Sequence, residues 1–471
     1  MKKYFLFAAV AGMLASCSSE SLTGSDPKIE PTQEDRVPIE IGVATAQTKA
    51  ITRGVGTVGD IEGGTNNWQG EKVKVFMFVK GSLTPATSNG EAVSVTNPAL
   101  YDNTELTTPN ASNSGIAKEI YNEGAGDRVR YKYYPASGNF DFWGYYADDA
   151  VTGAVTNDGS EVKVPFSIDG TQDLMVAKAK PTTAQQAIIA DDDVFGTDKN
   201  RYYSAFAARK NIQPDMTFNH LLTRLTFSVL AGNDETRGYT AAGPALPPDG
   251  QTYTGVFIKS IKVRSLKAGN IIAAYTGSDR ALTDLISFTK SATPAAADSL
   301  LMDLPGARTG ATLPPLYDPA VFDDDTQAND PWTSEYLAAN KLLVIDRGDD
   351  GPNAHWSEIW RPQTLVATPP AANPDGDQIG GAVIVAPDSK YYIEVVLGQY
   401  LLDNDNLAGT DPKFKVVYTT FKKEITPTTG TAFAQGTSYN VKITLYGFER
   451  IDITTTLKAW NDGGDVEIIA E

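Results

Sequence analysis

Val37-Pro38-Ile39-Glu40-Ile41-Gly42-Val43-Ala44 sets an apolar side chain at every second position, with Pro38, Glu40, Gly42 and Ala44 between Val37, Ile39, Ile41 and Val43. Successive side chains of a strand point to opposite faces, so this period of two describes a strand with one buried face. Pro38 has no N–H to give to a ladder, which makes the stretch an edge strand or the start of one. After it come Thr48-Lys49-Ala50-Ile51-Thr52-Arg53 and a glycine-rich run. Arg53 is therefore expected in an exposed segment open to a protease.

Outward from that strand the apolar runs stay short, with turn clusters between them. Strands are expected at 72–79, 129–134, 140–146, 161–166 and 173–177, and one long strand at 216–230. Further ones follow at 255–263, 381–385, 391–397, 413–421, 439–446, 451–457 and 465–469. Helical periodicity is confined to about 183–189 and 333–343. So many short strands predict an all-β chain built of β-sandwiches, with few short helices. Long turn-rich segments at 233–250 and 305–331 suit insertions on a sandwich rim. No fixed-period repeat is visible.

Composition bounds the rest. At ~100–200 residues per domain, the 471-residue length indicates two or three domains with cores of their own. The 40 Lys and Arg against 58 Asp and Glu give a net charge of -18, which would repel a phosphate backbone, so no nucleic-acid partner is expected. Apolar content of 41% is too high for a disordered chain, while 41 Gly and 27 Pro signal many turns.

The N-terminus carries an address. Lys2 and Lys3 precede an apolar run over 5–15, too short to span a bilayer, and the run ends in Leu14-Ala15-Ser16-Cys17. Small residues before a cysteine resemble a bacterial lipobox, so residues 1–17 read as a lipoprotein signal with Cys17 as the lipidation site. Cys17 is the one cysteine of the chain, so stability is expected from packing without a disulfide. The Ser-, Pro- and acid-rich residues up to Arg36 read as a tether. The expected organisation is a signal at 1–17, a propeptide with a removable strand at 18–53, one sandwich at 54–215 and a second at 216–471.

Motifs that could carry chemistry read better as turns. Gly54, Gly56 and Gly59 spell G-x-G-x-x-G, but Asp60, Gly63, Gly64, Asn66 and Asn67 follow where a nucleotide fold needs a helix. Asp403-Asn404-Asp405-Asn406 opens like a calcium loop, yet Leu407 and Phe414 occupy positions five and twelve. The acidic runs at 191–193 and 323–325 and the tripeptide Arg347-Gly348-Asp349 read as solvated loops. Neither of the two histidines, His220 and His355, lies in a nucleophile or zinc pattern. His220 reads as a structural histidine. No catalytic residue, metal site or cofactor is expected, and the chain does not read as an enzyme.

Taken in order, several segments resemble the fimbrillins, subunits of type V pili in Gram-negative oral and gut anaerobes. They are the lipobox at Cys17, the strand before Arg53, Gln172-Asp173-Leu174-Met175-Val176-Ala177 and the Phe218–Phe227 run with its His and Arg. The last two are 436–445 and Leu457-Lys458-Ala459-Trp460-Asn461-Asp462-Gly463-Gly464. The resemblance implies two tandem transthyretin-like β-sandwiches and an outer-membrane lipoprotein precursor. An arginine-specific protease would cut between Arg53 and Gly54, and a C-terminal strand of the next copy or a related subunit would fill the vacated groove. Val466 and Ile468 alternate in that donor segment. The fibre would stand on the cell surface and support adhesion. Alternatives are an anchor or tip subunit, or a non-polymerising surface lipoprotein that binds glycan or host protein near Trp332, Trp356 and Trp360.

Overall fold

The computed structural model describes residues 36–45, 68–112, 114–122, 126–231, 256–290, 299–303, 342–346, 355–359, 377–402, 414–446 and 450–458. Cys17, Arg53, Gly54, Val466 and Ile468 lie outside the described residues, as do the 54–59 glycine motif, the turns at 323–325, 347–349 and 403–406, Trp332 and Trp360.

The described chain is built of strands, with three short helices among the described residues. A seven-stranded sheet runs, in spatial order, Thr104–Thr107, Lys72–Val79, Phe140–Tyr146, Met175–Lys178, Asp215–His220, Ile41–Thr45 and Ser114–Ala117. Its central strands are apolar on both faces. Val75, Met77, Phe142, Met175 and Phe218 enter one core with Trp68, Tyr101, Tyr134 and Tyr203. From the opposite face Phe76, Phe78, Trp143, Tyr145 and Val176 enter a second core. The unbroken run Val75-Phe76-Met77-Phe78 is what a strand covered on both sides requires.

The second core is closed by a four-stranded sheet of Thr156–Asn157, Glu161–Ser167, Ala268–Tyr275 and Ile286–Phe288. Val162, Val164 and Phe166 alternate inward from it. Gly269 is dictated by its neighbour: a Cβ there would lie 1.9 Å from the Ser287 carbonyl oxygen. This sheet takes strands from both sides of the expected boundary between 215 and 216.

The same core continues between two further four-stranded sheets. One runs Asp377–Val385, Thr223–Ala231, Thr437–Tyr446, Arg450–Lys458, and the other Ser299–Asp303, Val256–Leu266, Tyr391–Leu402, Phe414–Ile425. Leu225, Phe227 and Val441 of the first meet Ile261, Ile393 and Val395 of the second.

One expectation is corrected. The single strand expected over 216–230 is two strands, Asp215–His220 and Thr223–Ala231, in different sheets. Leu221 and Leu222 make the crossing fully buried. The Leu221 N–H donates to the Leu174 carbonyl, and the Leu222 carbonyl accepts from Gly436 N–H, both at 2.8 Å. An apolar run therefore continues through the break, because the break itself is inside. Of the stretch 333–343, where helical periodicity was expected, only 342 and 343 are among the described residues, and they begin the strand Leu342–Asp346, paired with His355–Ile359. The helix expected over 183–189 is present as Thr183–Ala190, opened by a reciprocal capping box between Thr182 and Gln185.

Candidate functional site

The N-terminal strand, Ile41–Thr45, is the element on which the sequence places the most weight. It is not an edge strand. It lies inside the seven-stranded sheet, parallel to Asp215–His220 on one side and antiparallel to Ser114–Ala117 on the other. Pro38 precedes the strand, at an isolated bridge to Tyr133, so its missing N–H interrupts no ladder.

Register fixes which side chains go inward. Gly42 pairs with Asp215, Val43 with Met216, Ala44 with Thr217 and Thr45 with Phe218. Ile39, Ile41 and Val43 are buried in the core that also holds Met216 and Phe218. Gly42 faces Asp215 closely: a Cβ at 42 would sit 2.9 Å from Asp215 Oδ1. Burial raises the Asp215 carboxyl pKa above its ordinary value.

The approach to the strand is tied at several points. Ile39 N–H donates to the Lys132 carbonyl, Tyr134 N–H to the Val37 carbonyl and Gly42 N–H to the Pro214 carbonyl, each at 2.9 Å. Gln213 brackets the segment, with Nε2 donating to the Pro38 carbonyl at 3.0 Å and Oε1 accepting from Glu40 N–H at 3.3 Å. Tyr134 Oη donates to the same Oε1 at 3.3 Å. Gln213 is in turn held by Gln185, whose Nε2 donates to its carbonyl at 2.9 Å. Burial is the main reason the Tyr134 phenol pKa is raised well above the ordinary value, so it remains a donor at neutral pH. Nothing in the sequence marks Gln213 for this role, because the segment it brackets lies about 175 positions away.

His220 sits where the two strands of the 215–231 stretch separate. Its Nδ1 lies 2.7 Å from Asp173 Oδ2, and both side chains are buried. Met175 pairs with His220 across the sheet, which places Asp173 beside the ring. The structural reading of His220 therefore gains its partner, which sequence reasoning had placed in the same resemblance without pairing the two. Arg224, also buried, donates from Nη1 to Ser438 Oγ at 3.2 Å. Among the described residues no group of three or more His, Cys, Asp or Glu is set to hold a metal. No described helix is long and apolar enough to cross a membrane.

No family model matches the chain, and no curated protein matches it. Solved structures do align with it along most of its length. It is similar to a candidate cell adhesion protein from Bacteroides uniformis at 13% identity, over 92% of this chain and 100% of that one, with a TM-score of 0.37. It is also similar to a fimbrial protein from Bacteroides ovatus at 11% identity, over 88% of this chain and 49% of that one, with a TM-score of 0.29. The fimbrial anchor protein Mfa2 from Porphyromonas gingivalis aligns at 8% identity, over 90% of this chain and 98% of that one, with a TM-score of 0.26.

Proposed function

We propose that this chain is a structural subunit of a cell-surface fimbria that polymerises by exchanging its N-terminal strand for a strand of another subunit. In this reading the precursor is lipidated at Cys17 and held on the outer membrane. An arginine-specific protease cuts between Arg53 and Gly54, Ile41–Thr45 leaves the sheet, and a segment carrying Val466 and Ile468 from the next copy or a related subunit takes its place.

The observation that carries the reading is the position of Ile41–Thr45. A segment that lies upstream of Arg53 occupies an interior place in a sheet whose other strands all lie downstream of it. Removing it would bare two strand edges and the pockets of Ile39, Ile41 and Val43. At about 1.5–3 kcal/mol for each buried aliphatic side chain, those three residues account for roughly 5–9 kcal/mol. A groove of that strength is refilled by any strand with the same alternation, and main-chain bonds add to the joint. Donation from one copy to the next does not close on itself, so it builds a fibre. The net charge of -18 survives the cut, because residues 1–53 hold six basic and six acidic side chains. Such a charge keeps free subunits apart before assembly.

The test is protease-triggered assembly of the purified precursor. Wild type should form fibres on cleavage, whereas Arg53→Ala should stay monomeric; a cut at Arg36 would leave the strand in place. Normal fibres from Arg53→Ala would overturn the reading. Truncation after Gly464 separates the donor assignment from the rest: loss of fibres with intact cleavage supports Val466 and Ile468, and unchanged fibres move the donor elsewhere. Cys17→Ser, labelled with a fatty-acid analogue, should lose the label.

A further inference from the structure

A cleft of about 520 Å³ lies on the face of the seven-stranded sheet opposite the aromatic core of Tyr134 and Tyr203. It exists because that sheet has seven strands and the sheet covering this face has four. The strand Asp215–His220 is left partly uncovered, with Thr217 exposed and Asn219 half-buried on the floor. One wall is the start of the helix Thr183–Ala190, and the other is the end of Ala268–Tyr275 with the turn that follows it.

Each cation of the cleft already has a carboxylate partner. Asp279 accepts from Lys178 Nζ at 2.9 Å and from Lys180 Nζ at 3.2 Å, and Glu161 accepts from Arg280 Nη1 at 2.5 Å. The lining holds three cations, Lys178, Lys180 and Arg280, and two carboxylates, Asp215 and Asp279, while Glu161, which also pairs with Lys163, lies outside it. A strongly charged ligand would have to break one of these pairs, whereas a vicinal diol can donate a hydrogen bond to the carboxylate and accept one from the ammonium.

The aromatic faces are taken too. Trp143 and Tyr275 meet edge to face at 4.7 Å between centroids. Lys178 lies 4.7 Å over Trp143, and Arg280 lies 4.7 Å over Tyr275. What stays apolar and open is the rim, where Leu282 is exposed. Two amides are fixed in place beside it. Gln186 Nε2 donates to the Pro181 carbonyl at 2.8 Å, and Asn219 Nδ2 donates to the Thr217 carbonyl at 3.1 Å. Each keeps its second N–H and its amide oxygen for a ligand. Small-molecule sites span ~300–1,000 Å³ and combine an apolar surface with a few oriented polar groups. A molecule with C–H faces and a ring of hydroxyls, but no charge, meets these conditions.

We propose that this cleft binds a short neutral oligosaccharide of about two or three pyranose rings, with a C–H face on Leu282 and hydroxyls on Gln186, Asn219 and the Asp279 ion pairs. The site does not depend on strand exchange, so it stands or falls separately from the fibre reading.

The experiment is saturation-transfer NMR on the full chain with maltotriose, triacetylchitotriose and, as the charged comparison, sialyllactose. One of the two neutral trisaccharides should receive saturation, and sialyllactose should bind more weakly. Gln186→Ala and Asn219→Ala should each weaken binding about three- to ten-fold, the loss of one hydrogen bond. Leu282→Ala, at an exposed position, should weaken it as well. Absence of transfer to both neutral sugars at about 5 mM, a strength below any useful affinity, would overturn the proposal. So would preferred binding of sialyllactose, or undiminished binding by all three variants.

Discussion

Ile41→Ala is the perturbation that isolates the N-terminal strand. Ile41 is 1% exposed and belongs to the core that holds Met216 and Phe218. Truncating a buried isoleucine costs about 2–5 kcal/mol, the transfer term plus the void left behind. Most of that loss should appear locally, because Ile41–Thr45 is held by its two neighbours and can open without unfolding the sheets beyond Thr223. At 1.4 kcal/mol per tenfold, protection of the strand's amides from hydrogen exchange should fall between about thirty-fold and a few thousand-fold. Amides of Thr437–Tyr446, in another sheet, should keep their wild-type rates. Glu40→Ala is the control: its side chain is exposed, and its N–H bond to Gln213 belongs to the backbone. Unchanged exchange at 41–45 in Ile41→Ala would refute the argument that this side chain anchors the strand. A loss spread evenly over both sheets would refute the local-opening step.

Three further outcomes follow from particular contacts. Thr182→Ala removes the capping-box acceptor of Gln185 N–H and should cost the Thr183–Ala190 helix about 0.5–2 kcal/mol, seen as faster exchange at Gln185. Gly269→Ala forces a Cβ to 1.9 Å from the Ser287 carbonyl, and should cost about 1–3 kcal/mol and lower the thermal midpoint. Asp215→Asn tests the raised carboxyl pKa. Burial makes the ionised form the less favoured one in the folded state, so folding is weakened once pH rises through the ordinary and then the raised pKa. The Asn variant should melt higher than wild type at pH 7 and match it near pH 3, below about 3.9 where the unfolded carboxyl is also protonated; equal midpoints at pH 7 would contradict the assignment.

Strands with a marked apolar pattern were legible, because a continuous run or an alternation survives in the sequence whatever the partner. Lys72–Val79 and Phe140–Tyr146, apolar on both faces, and Glu161–Ser167, with one buried face, stand where their patterns put them. Ala268–Tyr275 was not legible: Ala-Gly-Asn-Ile-Ile-Ala-Ala-Tyr has no alternation and begins with small residues, which its close approach to Ser287 requires. Thr104–Thr107 and Ser114–Ala117 were missed for a related reason, since each is four residues long with one buried side chain, too short to show a period. The cleft was invisible altogether. Its members Lys178, Asn219, Gln186 and Asp279 come from four elements, and only the mismatch between a seven-stranded and a four-stranded sheet brings them together.

The place of Ile41–Thr45 could not be read from its own residues either, and the reason bears on what the strand can do. Antiparallel neighbours can be joined by a tight turn, so their pairing leaves a mark in the local sequence. A parallel neighbour needs a long connection, and here Gly42 pairs with Asp215, 173 positions further along the chain. The alternation of 37–43 specifies a buried face and leaves the partner open; the edge was expected from Pro38, which lies before the strand and interrupts no ladder. The same separation means that no short turn tethers Ile41–Thr45 to the strand it lies beside. It is held by side-chain burial, by the ladders on its two sides and by the Gln213 bracket. All three kinds of contact are ones that a strand of another chain, with apolar residues at alternate positions, can make in its turn. An element fixed by contacts rather than by its connection is what the proposed exchange requires.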